Sequence, residues 1–285
     1  CFRYERMSRG RKREHYQWNL DVVGEPALTA ECEVLSCAVG ALLRLGLQKS
    51  DFKVLINSRA LLVDLLLRAG VASVLHAAVF LALDKRGKLP DEEMRLMLQQ
   101  AGLDASAIEA VFRMLGMQSL DEVALALDVE TPALAGLRQV QSMLAQYGLA
   151  DCVQFDIGVV RGLGYYTGLV FEAFDSARKF RAIFGGGRYD NLLGDLSGAP
   201  LTAVGLGFGD VVIAELLAEK GGFACCDAAL DCAVGYMEQS QHDAACRIAC
   251  KMRANGQAVD LALHPEKPRH FFSRVGGGGF RKAVY

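Results

Sequence analysis

The sequence predicts an α+β protein, with a strand-rich core interrupted by a helical insertion and followed by the start of a separate α/β domain. Three observations predict it. Period-two alternation of apolar and polar residues stands before residue 70 and again after residue 151. The stretch 71–150 reads instead as a run of short helices with their own start signals. Beyond residue 229 the order is strand, helix, strand. With 285 residues, 52 % of them hydrophobic, the chain buries a sizeable core and is long for one compact domain. The expected divisions are 1–70, 71–150, 151–222 and 229–285.

Composition excludes whole classes of function. Charged residues at 22 % and only 6 prolines rule out a disordered or collagen-like chain. Lys and Arg number 31 against 33 acids, a net charge of −2, so any polyanion site must come from local clustering. The longest apolar stretch, Val71 to Leu83, is broken by Ser73 and His76 and is too short to span a bilayer. The chain opens with Cys1 rather than Met and shows no secretory signal, as expected of a fragment whose targeting peptide would lie upstream. Nine cysteines without a CxxC pair argue against structural zinc and for reduced thiols in a soluble, intracellular protein. Cys246 and Cys250, four apart on an expected helix, are expected to face the core.

The elements follow in order. Residues 1–23 read as a β-hairpin with a long polar loop. In its second arm Gln17, Asn19 and Asp21 share one face, and Tyr16, Trp18, Leu20 and Val22 the other. A polar face inside a sheet is costly unless it lines a site. Glu31 to Leu45 is helical with Gly46 as stop, Phe52 to Ile56 a strand, and Arg59 to Arg68 a helix. Within the insertion, Pro90-Asp91-Glu92-Glu93 starts a helix, Asp104 caps the next, and Ser119-Leu120-Asp121-Glu122 forms a capping box. Pro132 then opens a helix with Leu134, Leu137, Val140, Leu144 and Tyr147 on its apolar stripe. Strands are expected again at 159–161, 165–172, 180–184 and 203–208, with a helix over 211–220. The tail gives strand 232–237, helix 242–254 and strand 258–263, after which Gly276 to Gly279 breaks the pattern.

Four clusters carry chemistry. Arg3, Arg6, Arg9, Arg11, Lys12 and Arg13 crowd the hairpin and call for a polyanion or for solvent. Arg3 and Glu5 share a strand face; an arginine held in a sheet grips phosphate bidentately, and Glu5 with Asp21 suits an ammonium group. Arg161, flanked by Val159, Val160 and Leu163, is expected to be buried and to need an anion; the paired Tyr165 and Tyr166 beside it suit either a pocket wall or plain core. Gly185-Gly186-Gly187 lets a ligand approach backbone closely. Gly205-Leu206-Gly207-Phe208-Gly209 lacks both dinucleotide-fold spacing and a phosphate-loop lysine.

Phe2-Arg3-Tyr4-Glu5-Arg6, with the return strand His15-Tyr16-Gln17, resembles motif 2 of the class II aminoacyl-tRNA synthetases. Val160-Arg161-Gly162-Leu163-Gly164-Tyr165-Tyr166 resembles the first histidine-specific signature of histidyl-tRNA synthetases, and Gly185-Gly186-Gly187-Arg188-Tyr189-Asp190 the second. Order and spacing agree over essentially the whole chain, with wording nearest the plant-organelle branch. The resemblance implies an antiparallel catalytic sheet in 1–70 and 151–222, an insertion at 71–150 that touches tRNA, and a truncated α/β anticodon-binding domain in 229–285. It implies a homodimer that makes histidyl-adenylate from ATP and L-histidine, with Mg2+ accompanying the nucleotide, and passes histidine to its tRNA. It implies neither a protein-bound metal nor a membrane, and leaves plastid, mitochondrion and cytoplasm open.

Residue by residue, the resemblance makes Arg3 and Arg161 catalytic, Arg3 at the α-phosphate and histidine carboxylate and Arg161 at the charge developing on phosphorus. Glu5 orients ATP, and Arg11 and Arg13 face its outer phosphates from a mobile loop. Gln17 and Asp21 take the α-amino group; Tyr165 and Tyr166 line the imidazole pocket beside Gly185 and Gly186. The chain departs from the family pattern at three places. Asp21 stands for a longer glutamate, Gly164 for an aspartate, and Val212 for the arginine that stacks on adenine, a role His15 could take from the other face. Motif 1 and an acidic segment that also binds histidine are expected upstream of Cys1, so residues 1–285 alone are expected to be inactive. Two other readings stay open. One is a histidine-sensing regulatory subunit of ATP phosphoribosyltransferase, which predicts an eroded basic loop and Arg161 motif; the other is an RNA-binding pseudo-synthetase.

Overall fold

The structure is a computed structural model and describes residues 1–285 apart from 3, 5–11, 87–88, 163, 199–200, 222–229 and 278–279. It divides into two compact units, 1–222 and 223–285.

The first unit is built on strands β1 (Gln17–Val23), β2 (Phe52–Ser58), β3 (Val153–Phe155), β4 (Leu169–Asp175), β5 (Phe184–Arg188) and β6 (Ala203–Gly209). They form one sheet in the order β1-β6-β5-β4-β2-β3, antiparallel throughout except for the β2–β3 pair. The register sorts the two faces. Asn19, Gly207, Gly185 and Glu172 stand in one row, and Asp21, Gly205, Gly187 and Val170 in the next. Leu20, Leu206, Gly186 and Phe171 project to the opposite face. That opposite face is the core side, where Phe184 stacks on Phe208 (centroids 5.7 Å apart) and Phe171 meets Phe184 edge-on.

Helices α1 (Thr29–Arg44) and α2 (Arg59–Arg68) bury Val34, Leu35, Val39, Leu61, Leu62 and Leu66 against this face. The insertion supplies α3 (His76–Leu83), α4 (Asp91–Gln100), α5 (Ala105–Leu115), α6 (Leu120–Leu127) and α7 (Pro132–Gln146). The local start signals act as expected. Asp104 accepts from Ala107 N, Ser119 from Glu122 N, and Pro132 opens its helix; the cap before it, Thr131 accepting from Leu134 N, was not among the expected signals. Glu122 reaches back to Gln118 N, one residue before the cap of the expected box. Leu134, Leu137, Val140 and Leu144 are buried, but Tyr147 sits at the helix end and donates its hydroxyl to Glu33. Buried residues of the insertion such as Met94, Val111 and Val123 belong to the same continuous core as Phe52 and Ile56. Helices α8 (Leu192–Ser197) and α9 (Asp210–Glu219) complete the unit.

The second unit has β7 (Cys232–Val234), α10 (His242–Ala254), β8 (Val259–Leu261), α11 (Pro268–Gly277) and β9 (Lys282–Val284). Its three parallel strands run in the order β8-β7-β9. The α/β alternation therefore continues through the glycines at 276 and 277, which end a helix rather than the pattern. Ala245 and Ala249 are the buried face of α10; Cys250 is exposed and Cys246 only half-buried, contrary to expectation. Short alanines at those positions let the helix lie close on β8.

The strands also depart from expectation. The segment 180–183 is irregular, and the glycines themselves form the strand Phe184–Arg188. Among the described residues, 159–162 and 164–168 form no strand, and β1 lies at the sheet's edge. In the first hairpin arm Phe2 bridges Glu14 and Cys1 pairs with His15.

Candidate active site: a cleft over a glycine floor

The polar face of the sheet forms the floor of an open cleft of about 880 Å³. Gln17, Asn19 and Asp21 line one side, Arg161, Tyr165, Tyr166 and Glu172 the other, and Gly185, Gly205 and Gly207 lie between. The glycines are required by what lies over them. A Cβ at 185 would overlap the Arg161 guanidinium, one at 205 the Asp21 carboxylate, and one at 207 the Gln17 amide at 2.5 Å. At 187 it would meet the Tyr166 ring at 2.9 Å. The expected close approach to bare backbone is thus made by the chain's own side chains. Gly186 is different: its missing Cβ points to the Gly205 carbonyl and the Phe171 ring, so it makes room in the core and faces away from the cleft.

Arg161 has a left-handed backbone, φ 55°, which is unusual for a residue with a side chain. Its Nη1 donates to Glu172 Oε1 at 2.6 Å, and its Nε is buried without a partner. The anion expected for this buried cation is therefore present in the chain as Glu172, with one donor left over. Burial pulls the guanidinium's pKa down, but Glu172 and then the Tyr166 hydroxyl outweigh it and raise the pKa overall. Three tyrosines form the adjoining wall. Tyr165 packs on Tyr166 at 4.6 Å and edge-on to Tyr189 at 5.9 Å. Tyr189 donates its hydroxyl to Asp21 at 2.5 Å. Burial, then hydrogen bonding to Tyr166 and to Asp21 respectively, pushes the Tyr165 and Tyr189 hydroxyls well above the ordinary phenol range. They are neutral donors at any working pH.

A buried ion pair fixes the turn that carries Tyr189. Arg188 Nε and Nη2 donate to the two oxygens of Glu31 at 2.5 and 2.6 Å, with Glu31 fully buried on α1. Arg188 also donates to Thr202, which donates to Asp190, while Thr167 donates to Asp190 at 2.7 Å. Neither Glu172 nor this network was read from the sequence, although a lone acid inside Leu169-Val170-Phe171-Glu172 and another in apolar α1 were the signals available.

The other expected residues fall as follows. Lys12, His15 and Val212 line the cleft beyond Gln17. Arg13 lies over the Tyr4 ring, 5.2 Å from its centroid, away from the lining. Arg3, Glu5 and Arg11 lie outside the described residues, so the expected meeting of Arg3 with Arg161 does too. Among the described residues no group of three or more His, Cys, Asp or Glu is placed to hold a metal ion, and no helix is long and apolar enough to cross a membrane.

A cleft with an acceptor wall, a cationic wall and neutral phenols suits a zwitterionic substrate beside a phosphate. Comparisons with known proteins identify the family. The family model described as Histidyl-tRNA synthetase matches residues 1–209. The chain is 41 % identical over its whole length to Histidine--tRNA ligase, chloroplastic/mitochondrial, of Arabidopsis thaliana, and spans 58 % of that protein. The crystal structure of histidyl-tRNA synthetase from a Nostoc species gives a TM-score of 0.72 at 19 % identity, covering 94 % of this chain and 65 % of that one. A structure described as an ATP phosphoribosyltransferase regulatory subunit/histidyl-tRNA synthetase, from Bacillus halodurans, gives 0.70 at 23 % identity, covering 97 % and 69 %. These two likenesses show the fold, the α+β class expected.

Proposed function

This chain belongs to the histidyl-tRNA synthetase family, and on that premise we propose that it supplies the histidine-activating face of a histidine–tRNA ligase. One observation carries the reading: Arg161, with a buried unpaired Nε, shares a cleft with the acceptors Gln17 and Asp21 across a floor without side chains. Histidine lies with its α-ammonium group toward Gln17 and Asp21 and its ring against Tyr165 and Tyr166. Its carboxylate then points along the glycine floor toward Arg161. ATP, arriving with Mg2+, lies over Lys12 and His15, its outer phosphates toward Arg11 and Arg13, with Arg3 at the α-phosphate and Glu5 orienting the nucleotide.

Attack of the carboxylate on the α-phosphorus brings two anions together, so fixed cations on both sides lower the barrier most. Arg161 leaves Glu172 in part and spends its free donor on the developing charge. Apolar analogues of histidine would leave the buried partners of the imidazole unpaired, a discrimination on the order of 10⁴-fold, so the site selects without editing. Transfer to histidine tRNA follows, with 71–150 contacting the tRNA and 229–285 its anticodon, in a homodimer located in an organelle or the cytoplasm. The regulatory-subunit reading needs only the histidine pocket, whereas this cleft continues past it to Lys12 and His15.

The test is histidine-dependent ATP–pyrophosphate exchange by the full-length protein. Arg161→Ala is expected to lower it on the order of 10²-fold or more. Exchange unchanged in that variant refutes the assignment, and absence of exchange in the wild type favours a non-catalytic relative.

A further inference from the structure

Arg161 is held in a sparsely populated backbone conformation, and such residues persist only where their surroundings over-determine them. The surroundings here are two side chains at the junction of β2 and α2. Asn57, fully buried, donates its Nδ2 to the carbonyls of Ile157 at 2.9 Å and Val159 at 3.0 Å. Arg59 donates its Nη1 to the carbonyls of Val160 at 3.1 Å and of Arg161 itself at 3.2 Å. The carbonyls of residues 157, 159, 160 and 161 are thereby tied to the three-residue junction 57–59 between β2 and α2. Neither side chain lines the cleft. The clamp reaches further, into the insertion: Phe80 of α3 lies flat under Arg59, its centroid 3.8 Å from Cζ. The Asp84 carboxylate closes over Gly162, where a Cβ would sit 3.1 Å from it.

We propose that Asn57 and Arg59 are positioning residues for Arg161, and that Phe80 couples their grip to the helical insertion. The inference rests on the activity reading for its consequence, since the clamp then sets the geometry of the charge on phosphorus. A displacement of α3, such as a bound tRNA would impose, alters how firmly Arg59 holds the loop and hence the rate of activation.

The experiment uses the full-length protein with Arg59→Lys, which keeps the charge but loses the planar fork, and with Phe80→Leu. Arg59→Lys is expected to lower kcat of histidine-dependent exchange by about 10- to 100-fold, as misplacement of a catalytic group does, with KM for histidine within about threefold. In an Arg161→Lys background the same change is expected to cost less than about twofold, because a residue acting only through another has nothing left to position. Phe80→Leu shifts kcat in the same direction by less. Hydrogen exchange of the peptide 156–168 quickens in Arg59→Lys while that of 203–219 is unchanged. Equal losses in both backgrounds, or unchanged exchange at 156–168, overturn the proposal. A wild type without histidine-dependent exchange refutes the activity reading, and hydrogen exchange then decides the clamp alone.

Discussion

Arg188, Glu31, Thr202, Thr167 and Asp190 form a connected hydrogen-bonded network in the first unit, and none of them lines the cleft. Their work is to hold Tyr189, which in turn holds Asp21. Burial raises the Asp190 carboxyl's pKa, but the Thr202 and Thr167 hydroxyls and Arg188 outweigh it and leave it below the usual carboxylate range. The unfolded chain then binds the proton first, at about pH 3.9. The stability this carboxylate contributes is fully present above that pH and is lost as pH falls through the lower folded value. Asp190→Asn is therefore expected to be less stable at neutral pH and to lose less on acidification from about pH 5 to 3, as read by the melting temperature. At this scale the sequence revealed residues whose pattern is local: Gln17, Asn19 and Asp21 alternate on one strand, and Arg161 with its tyrosines stands out against apolar neighbours. It hid Glu172, Glu31 and Asn57, because each matters through a partner between 11 and 157 positions away.

Helices declared themselves through their ends. Asp104, Ser119 and Pro132 cap or open the helices they were expected to, since a cap needs only the next three residues. Strand β5 did not, because three glycines carry no strand preference and pair only because β4 and β6 flank them. The two faces of that strand give opposed predictions. Gly186→Ala places a Cβ against the Gly205 carbonyl and the Leu206 Cα, which cannot swing aside. It is expected to cost about 3 kcal/mol or more by chemical denaturation. Gly185→Ala meets chiefly the flexible end of Arg161, so it is expected to cost less stability and to lower ATP–pyrophosphate exchange. Equal stability losses at both positions would contradict the assignment of faces.

Across the whole chain the thiols report burial in both units. Burial, and then the neighbouring Glu31 and Glu33, push the Cys32 thiol up to about 11. Cys152 and Cys232 are also buried and raised, first by burial. Alkylation of the native protein near pH 8 is expected to modify the exposed Cys37 and Cys250 and to spare Cys32, Cys152 and Cys232 until denaturant is added, as mapped by peptide mass. The structure divides after residue 222, and the sequence beyond it alternates strand and helix where the preceding core is irregular. The third strand of the second unit was not legible there, since a helix that ends in glycines looks like a linker.

Strands β2 and β3 run side by side in the same direction. Parallel neighbours cannot be joined by a tight turn, because the chain must travel back the length of the sheet before it starts again. Everything from Ser58 to Val153 is that return journey, and α7, packed on α1 and β2, makes its last leg. Excising the insertion down to a short hairpin would force β3 to enter upside down, with Phe155 where Val153 belongs. A minimal version of this unit must therefore retain a homeward helix.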